Sequence, residues 1–431
     1  MWRNGVNLAP LPAQGAVSGV VESVPVNRRI LAVLSYGHLA TDLAQGAIPA
    51  LLPLFKAVFH LSYAGVGFVV LMANVSSSVI QPAFGFLSDR LNIRWMMPLG
   101  ALLAGTGMVF ATLTPHYAVM VSMVLLSGLG VAAFHPEGYR FAGLAAGTRR
   151  ATGMSYFSVG GNIGYGFGPA TASLALSALG KYGMSYLLAF SVTAAILLWR
   201  VAGSQQRDRL EEGWAVGGAA SAHRLADAAG GGRSTVILVL LVAFVILRSW
   251  VSIGTASFIP LYFTGVRHLD GRYSGAIVSV FLGAGAVGTL FGGIAADRWG
   301  RRGLLIFSML ILPVFLWMIP RSSGLVTLLA AMIAGMAAVS TFAVVMVMAQ
   351  DLIPERIGMI SGLLIGFAVG MGGVGVTLLG AVADRWGLLR AMDVTALLPF
   401  AGLFIALLLP ADRAQAHTDR PAAGGPVPFS P

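Results

Sequence analysis

The sequence predicts an all-α membrane protein with twelve transmembrane helices in two pseudo-symmetric six-helix bundles. Of its 431 residues, 57% are hydrophobic and only 10% are charged, whereas soluble domains carry about 25% charged residues. The apolar residues stand in runs long enough to cross a bilayer, which takes about 20 residues per helix. A short loop signature also recurs in the two halves of the chain. Together these observations exclude a soluble enzyme and favour a duplicated polytopic membrane protein.

Charged residues, prolines and glycine clusters divide the apolar sequence into twelve predicted spans. The first six are expected near 30–53, 64–88, 95–114, 117–140, 152–178 and 182–202. The second six are expected near 235–262, 273–296, 303–321, 325–350, 357–383 and 389–410. Each segment is close to the length that a helix needs to cross the hydrocarbon core.

Two six-helix bundles follow from this division, at residues 30–203 and 235–410. A hydrophilic amino tail (1–29) precedes them and a carboxyl tail (411–431) follows them. Between the bundles, residues 204–234 combine glycine, alanine and mixed charges, and they have too little continuous hydrophobicity to span. We therefore expect a flexible linker there.

The distribution of basic residues predicts the orientation in the membrane. With a cytoplasmic amino terminus, the tails, the linker and the even-numbered loops hold 19 arginines, and the opposite side holds seven basic residues. Lysine and arginine accumulate on the cytoplasmic side, so both termini are expected in the cytoplasm. The net charge of +11 is thus a topology signal, and no nucleic-acid partner is predicted. Since the sequence has no cysteine, disulfides and thiolate metal sites are excluded.

A loop signature marks the repeat. Residues 85–94 (GFLSDRLNIR) follow the second span, and residues 293–302 (GIAADRWGRR) follow the eighth. A partial third copy, residues 380–387 (GAVADRWG), falls at the outward-facing end of the eleventh span, as inverted repeats within each half would place it. Two halves related by duplication predict a binding site where they meet near the middle of the bilayer.

We interpret the two inner copies of the signature as gates. An aspartate at a helix end can cap a neighbouring helix and pair with arginines, which would hold the halves together on the cytoplasmic face. The alternative is a basic turn that only sets topology. The predicted gating residues are Gly85, Asp89, Arg90, Arg94, Gly293, Asp297, Arg298, Arg301 and Arg302.

Ionisable residues inside the spans are expected to have a functional or structural role, because inserting a charged side chain into a bilayer costs at least about 2.5–3.5 kcal/mol. His38 and Asp42 lie one helical turn apart in the first span and share a face. Facing a wet cavity, such a pair can hold and pass a proton; facing another helix, it is a structural pair.

The fourth span ends in a second ionisable group. Pro136 removes a backbone donor and bends the helix between His135 and Glu137, with Arg140 one turn further on. The carboxylate suits reversible protonation, and a salt bridge at the helix end is the alternative. The predicted proton-coupling residues are therefore His38, Asp42, His135 and Glu137.

Arg248 is the one basic residue well inside the second half. It either neutralises a carboxylate of the first half or binds an anionic substrate through paired hydrogen bonds, and the sequence leaves both open. Interhelical bonding and packing are the alternatives for the other polar and aromatic positions. The residues predicted to line the cavity are Gln45, Asn74, Gln81, Arg140, Tyr156, Asn162, Arg248, Trp250, Tyr262 and Gln350.

The repeated loop resembles the cytoplasmic signature of the major facilitator superfamily, which implies the major facilitator fold. Within that superfamily the chain resembles the bacterial fosmidomycin resistance family. This resemblance rests on the His38-x-x-x-Asp42 pair, on residues 134–137 (FHPE) and on residues 349–362 (AQDLIPERIGMISG), and it continues through residues 366–373. Residues 164–169 also resemble the fifth-helix motif of proton-coupled antiporters.

The family resemblance implies an inner-membrane pump of a bacterium that exchanges protons for a small drug of the fosmidomycin type. The expected partners are the substrate, protons and the lipid bilayer; no cofactor and no metal are expected, and the protein is expected to be monomeric. One alternative is a proton-coupled importer of a metabolite on the same fold. Another is a nonconducting membrane sensor or a membrane enzyme, which the lack of a nucleophile–base pair disfavours.

Overall fold

A computed structural model describes residues 26–90, 93, 95–147, 150–202, 232–353, 360 and 362–410. Within these ranges every regular element is a helix. In the first half the helices are α1 (Arg28–Gly46), α2 (Ile48–Val58), α3 (Tyr63–Asn74), α4 (Gln81–Arg90), α5 (Met96–Leu113), α6 (Tyr117–Ala145), α7 (Arg150–Leu179) and α8 (Tyr186–Ala202). A π-helical segment, Val75–Val79, joins α3 to α4, and a 3₁₀ turn, Gly180–Ser185, joins α7 to α8.

The described residues of the second half form seven helices. They are α9 (Gly232–Gly265), α10 (Gly271–Trp299), α11 (Arg301–Met318), α12 (Gly324–Ser340), α13 (Phe342–Leu352), α14 (Gly372–Trp386) and α15 (Leu388–Leu408). A 3₁₀ turn, Ile319–Arg321, follows α11, and a second π-helical segment, Gly362–Ala368, precedes α14.

These helices fit the twelve predicted spans. Ten described helical runs are long and apolar enough to cross a bilayer, and one of them, Gly153–Ala202, contains both the fifth and the sixth predicted span. The first span is divided between α1 and α2 at Ala47. Wherever a span end is described, it lies within five residues of its prediction.

Two helices begin within segments that were predicted to lie outside the bundles. α1 begins at Arg28, inside the predicted tail 1–29, because the Asn27 side chain accepts a hydrogen bond from Ile30 N and caps the helix there. α9 begins at Gly232, inside the predicted linker 204–234. The rest of both tails and of the linker lies outside the described residues.

The duplication is visible in two loops. His60 and His268, 208 positions apart in the sequence, both have a left-handed backbone, with φ of 51° and 52°. In each loop the residue two positions later caps the next helix: Ser62 accepts from Gly65 N, and Asp270 accepts from Arg272 N. We call the side of the molecule that holds these two loops the outer face and the opposite side the inner face.

Two seams join the halves. α3 packs on α14, and α7 packs on α10. Near the outer face the contacts are very close: a Cβ on Gly67 would lie 2.5 Å from Thr377 Cα, and Ala170 N donates to Ser279 Oγ at 2.9 Å. Where α3 continues towards the inner face, the two π-helical segments lie against each other, and a Cβ on Gly366 would lie 3.1 Å from Ser78 O.

The α7–α10 seam opens towards the inner face. Ser173 and Ser279 lie in the closed part of the seam. Asn162 and Leu290 are three turns further along the same faces of α7 and α10, yet both are exposed, Leu290 by 72%. The two helices therefore diverge, and the halves enclose a cleft that is open on the inner face and closed on the outer face.

Candidate functional site

Three ionisable side chains from two helices meet inside the first half. Asp42 lies between two imidazoles: Oδ2 is 3.2 Å from His38 Nε2, and Oδ1 is 3.3 Å from His135 Nε2. His38 and Asp42 come from α1, and His135 comes from α6, directly before Pro136. His38 is 3% exposed, and the side chains of Asp42 and His135 are each 13% exposed. We call these three residues the imidazole–carboxylate cluster.

The second nitrogen of each ring fixes its tautomer. His38 Nδ1 lies 2.9 Å from Phe157 O, and His135 Nδ1 lies 2.9 Å from Val131 O. A carbonyl oxygen only accepts hydrogen bonds, so both Nδ1 atoms carry hydrogen. Each Nε2 then faces the carboxylate either with a bare lone pair or with an added proton. The cluster can therefore take up one proton at each of its two contacts.

Aromatic rings cover the cluster on the apolar side. His38 stacks on Phe157 at a centroid distance of 4.2 Å, and Tyr139 contacts both imidazoles edge-on or tilted. On α7, a Cβ at Gly161 would lie 2.3 Å from His38 Nε2. Only a glycine at this position leaves room for the ring, which gives one member of the glycine-rich fifth span a defined role.

Glu137 has other partners than the cluster. Its carboxylate accepts a hydrogen bond from Ser88 Oγ on α4, and Oε2 lies 3.5 Å from Arg140 Nη1. The carboxylate is 2% exposed, whereas the Arg140 side chain is 36% exposed. The helix-end salt bridge considered as an alternative is thus present, and Glu137 connects α6 to the inner end of α4.

Arg248 on α9 is buried and has no ion pair among the described residues. Its Nη1 donates to Ala338 O at 3.4 Å, and the guanidinium lies 5.0 Å from the centre of the Phe342 ring. Its Nε has no hydrogen-bond partner. Pairing with a carboxylate of the first half, one of the two roles considered for Arg248, is therefore not formed among the described residues.

Several buried polar atoms close to Arg248 also have no hydrogen-bond partner; some belong to neighbouring residues of α9 and one belongs to Thr341. Thr341 lies at the break between α12 and α13, three residues after the carbonyl that Arg248 contacts. The buried polar atoms of the second half that have no hydrogen-bond partner and can donate to a ligand are Arg248 Nε, Ser249 Oγ, Trp250 Nε1, Ser252 Oγ and Thr341 Oγ1. A cation with surplus donors favours an anionic ligand.

The remaining predicted cavity residues divide into several groups. Gln45 Nε2 donates to Ser77 Oγ at 3.3 Å, and Asn74 Nδ2 donates to Val70 O in its own helix. Asn162 is exposed on the face of α7 that turns towards α10, Tyr156 is exposed on another face of α7, and Gln81 and Gln350 are half-buried. Tyr262, in contrast, lies in the core of the second half and donates to Pro320 O at 3.1 Å. Tyr262 is therefore a packing residue, unlike the prediction.

The predicted gates do not bridge the halves in the described part of the inner face. Gly85 faces Pro136 of its own half, Gly293 has open space beside it, and Asp297 and Arg298 are exposed. Arg301 pairs with Asp351 at 2.6 Å, and Arg302 donates to Ala406 O and Leu407 O, all within the second half. Arg94 and the side chains of Asp89 and Arg90 lie outside the described residues. The gating role of these residues stays a prediction.

The imidazole–carboxylate cluster also has a donor set known from metal sites. One ligand atom each from His38, Asp42 and His135 lie within 4.8 Å of one another. The expectation that the protein uses no metal stays a prediction, and removal of divalent ions tests it.

Several residues of the site could not be identified from the sequence. The carbonyls of Phe157 and Val131 carry no sequence signal, because any residue supplies one. Ser88 occupies a variable position of the loop signature, and Thr341 stands in an apolar run that shows no sign of a break. Gly161 had a signal, since glycines cluster in the fifth span, but its contact with His38 depends on tertiary structure.

Comparison with known protein sequences gives one family. The family model described as Major Facilitator Superfamily matches residues 34–364 and 238–431. The Fosmidomycin resistance protein of Escherichia coli (strain K12) is 31% identical over 411 residues, which cover 94% of this chain and 98% of that protein. The uncharacterized MFS-type transporter YfnC of Bacillus subtilis (strain 168) is 32% identical over 385 residues, 89% and 93% of the two chains.

Solved structures show the same fold at low sequence identity. A mutant of the nucleoside transporter NupG superposes with a TM-score of 0.71 at 13% identity, over 88% of this chain and 99% of that chain. The D-xylose-proton symporter superposes with a TM-score of 0.67 at 17% identity, over 89% and 97%. A bacterial homologue of the human lysosomal transporter Spinster, in an inward-facing and occupied conformation, gives 0.64 at 14%, over 89% and 97%.

Proposed function

Because the chain belongs to the major facilitator superfamily, and so is a secondary transporter rather than an enzyme, we propose that it exports a small anionic drug in exchange for protons. Export of a fosmidomycin-like compound is supported by the name of the Escherichia coli relative, which spans nearly the whole chain. The mechanism is alternating access, in which the two halves expose a shared cavity first to one side of the membrane and then to the other. The membrane is the bacterial inner membrane, with both termini in the cytoplasm.

The geometry of Asp42 carries the proton-coupling proposal. With no added proton, the cluster has one negative charge and two imidazole lone pairs that face carboxylate oxygens at 3.2 and 3.3 Å, which is repulsive. One proton makes the cluster neutral and turns one contact into a charge-assisted hydrogen bond; a second proton does the same at the other contact. The cluster thus gains both charge and cohesion when it takes up protons.

Proton uptake at the cluster acts on the helices of the first half. Asp42 joins α1 to α6 only when a proton lies at the contact with His135, and His38 is held to α7 through Phe157 O. Protonation of the cluster therefore connects α1, α6 and α7 around Asp42, and deprotonation removes the connection between α1 and α6. Glu137 extends this connection to α4 through Ser88, next to the loop signature.

The charge of Arg248 supports a substrate site in the second half. Arg248 is a buried cation without a counter-ion among the described residues, and burial of an unpaired charge is costly. An anionic group such as a phosphonate would supply the missing charge and accept from the free Nε. Substrate and protons then occupy different halves, so the two can be exchanged without sharing a side chain.

A test uses inverted membrane vesicles with an acidic interior and radiolabelled fosmidomycin. The native protein is expected to accumulate the drug against its gradient, and Asp42→Asn is expected to abolish the dependence on pH while drug binding persists. Asp270→Asn removes an exposed carboxylate at the outer face and serves as the control. Gradient-driven accumulation in the Asp42→Asn protein would contradict the coupling assignment.

Two further outcomes separate the alternatives. Accumulation in right-side-out vesicles with an acidic exterior would establish import, a direction that the likeness to the D-xylose-proton symporter illustrates for this fold. Treatment with EDTA is expected to leave transport unchanged, and its loss would assign the cluster to a metal ion.

A further inference from the structure

A carboxylate of the second half caps a helix of the first half at the outer face. Asp384, in the last turn of α14, accepts from Tyr63 N through Oδ1 at 2.7 Å and from Ala64 N through Oδ2 at 2.9 Å. Tyr63 and Ala64 are the first two residues of α3. Both oxygens of one side chain are therefore used on backbone donors across the seam between the halves.

The chemistry of these bonds makes them strong for an exposed contact. The first amide hydrogens of a helix have no partner within the helix, and they lie at the positive end of its dipole. A carboxylate that accepts from them forms charge-assisted hydrogen bonds. The bonds also depend on orientation, because two parallel donors must meet two oxygens.

The surrounding seam shows that these bonds cannot survive opening of the outer face. A Cβ on Gly380, one turn before Asp384, would lie 2.5 Å from Tyr63 O, so the two backbones touch there. Any separation of α3 from α14 at the outer face draws the carboxylate away from both amides. The other acidic cap of this face, Asp270, accepts within its own helix and is indifferent to such a movement.

The two faces of the molecule differ in how they use the loop signature. Asp384 is the aspartate of the third, outward-facing copy, and it bridges the halves where the cleft is closed. Asp297 is the aspartate of the second copy at the inner face, and within the described residues it forms neither a hydrogen bond nor an ion pair. Of the two signature aspartates whose side chains are described, Asp384 and Asp297, the one on the closed side is engaged between the halves.

We propose that Asp384 is the outer gate latch of the transport cycle, a carboxylate that stabilises the inward-open state by capping α3 and releases it when the outer face opens. The inference rests on the proposed alternating access. Asp384 touches neither the imidazole–carboxylate cluster nor Arg248, so it acts on the conformational equilibrium alone.

Distance measurements between spin labels test the latch, and the absence of cysteine makes the labels specific. Tyr182→Cys with Leu325→Cys reports on the outer face, and Arg200→Cys with Trp299→Cys reports on the inner face. Asp384→Asn and Asp384→Ala are expected to lengthen the outer distance and shorten the inner one, with the ratio of outward-open to inward-open protein rising about tenfold or more. Asp270→Asn is the matched control and is expected to leave both distances unchanged.

Removal of the donor gives an independent arm if the Asp384 variants do not fold. Tyr63→Pro deletes one of the two amide hydrogens at the first helical position, which accepts proline readily, and Tyr63→Ala removes the same ring but keeps the hydrogen. Only the proline variant is expected to shift the distances. Unchanged distances in the Asp384 or Tyr63→Pro proteins, or equal shifts in their controls, would overturn the latch. Because the distances are measured without drug or gradient, a failure of proton-coupled export leaves this result intact.

Discussion

His38 occupies space that only a glycine on the neighbouring helix leaves free. The ring is held from two sides, by Phe157 O at Nδ1 and by Asp42 at Nε2, and it lies against the backbone of Gly161. A displaced ring would lose the hydrogen bond at Nδ1, the contact with Asp42 at Nε2, or both. The absence of a Cβ at position 161 of α7 is therefore needed for the His38 ring to lie in its present place.

Gly161→Ala is expected to disable coupling without unfolding the protein. The added Cβ would lie 2.3 Å from His38 Nε2, so the ring must move, at a cost of about 1–3 kcal/mol typical of overpacking. Gradient-driven drug uptake in vesicles measures the effect. Gly143→Ala on α6 is the control, because a Cβ there meets no atom within 4 Å. A Gly161→Ala protein that transports like the native one would show that His38 need not contact Asp42.

Part of the imidazole–carboxylate cluster could be predicted from the sequence. The spacing of His38 and Asp42 sets both on one helix face, and their cost inside a bilayer marks them as important. Residues two apart on a helix point about 200° away from each other, so only one of His135 and Glu137 can face Asp42. That His135 is the one could not be predicted, because it depends on how α6 is rotated about its axis. A sequence gives spacing along a helix but not its rotation about the axis.

The seam between α3 and α14 is a contact of backbone on backbone. A Cβ on Gly373 would lie 2.5 Å from Leu71 Cα, and neither chain can yield there as a flexible side chain would. Close approach of this kind lets two long helices slide or part as units, since few side chains interlock across it.

Gly373→Ala is expected to destabilise the seam between α3 and α14. It should lower the free energy of unfolding by about 1–3 kcal/mol, the usual cost of overpacking, and so lower the melting temperature. The melting temperature in detergent, followed by tryptophan fluorescence, measures this loss. Gly293→Ala introduces the same methyl group into a helix of the same half where no atom lies within 4 Å, so its melting temperature should stay near the native value. Equal melting temperatures for the two variants would mean that the seam tolerates a side chain.

Helix positions were predictable, and helix interruptions were not. Long apolar runs locate the spans to within a few residues, because hydrophobicity is what the bilayer selects. The breaks at Ala47 and Thr341 and the two π-helical segments stand in equally apolar sequence. They depend on which carbonyl each amide reaches, a property that hydropathy does not record.

At the scale of the whole molecule, the count of basic residues predicted an orientation that labelling can test. Ser204→Cys lies in the predicted linker, and Tyr182→Cys lies on the outer face. A membrane-impermeant maleimide is expected to label Tyr182→Cys in intact cells and Ser204→Cys only in inverted vesicles. The reverse pattern would place both termini outside the cytoplasm and would invert the proposed direction of transport.

The duplication could be predicted from the repeated loop, and the state of the cleft could not. Both inward-open and outward-open arrangements use the same helices and the same glycine-lined seams, so the sequence is compatible with either. Contacts such as that between Asp384 and the start of α3 decide between them, and they depend on distances across the two halves.

The two seams differ in a way that bears on how the inner face closes. α7 and α10 are uninterrupted, whereas the α3–α14 side carries the facing π-helical segments Val75–Val79 and Gly362–Ala368. An extra residue in a turn can migrate along a helix by exchanging hydrogen-bond partners. We therefore expect α7 and α10 to move as rigid helices, whereas the π-helical segments on the other side of the cleft exchange hydrogen bonds. The entrance for a bulky molecule is then widest beside α7 and α10.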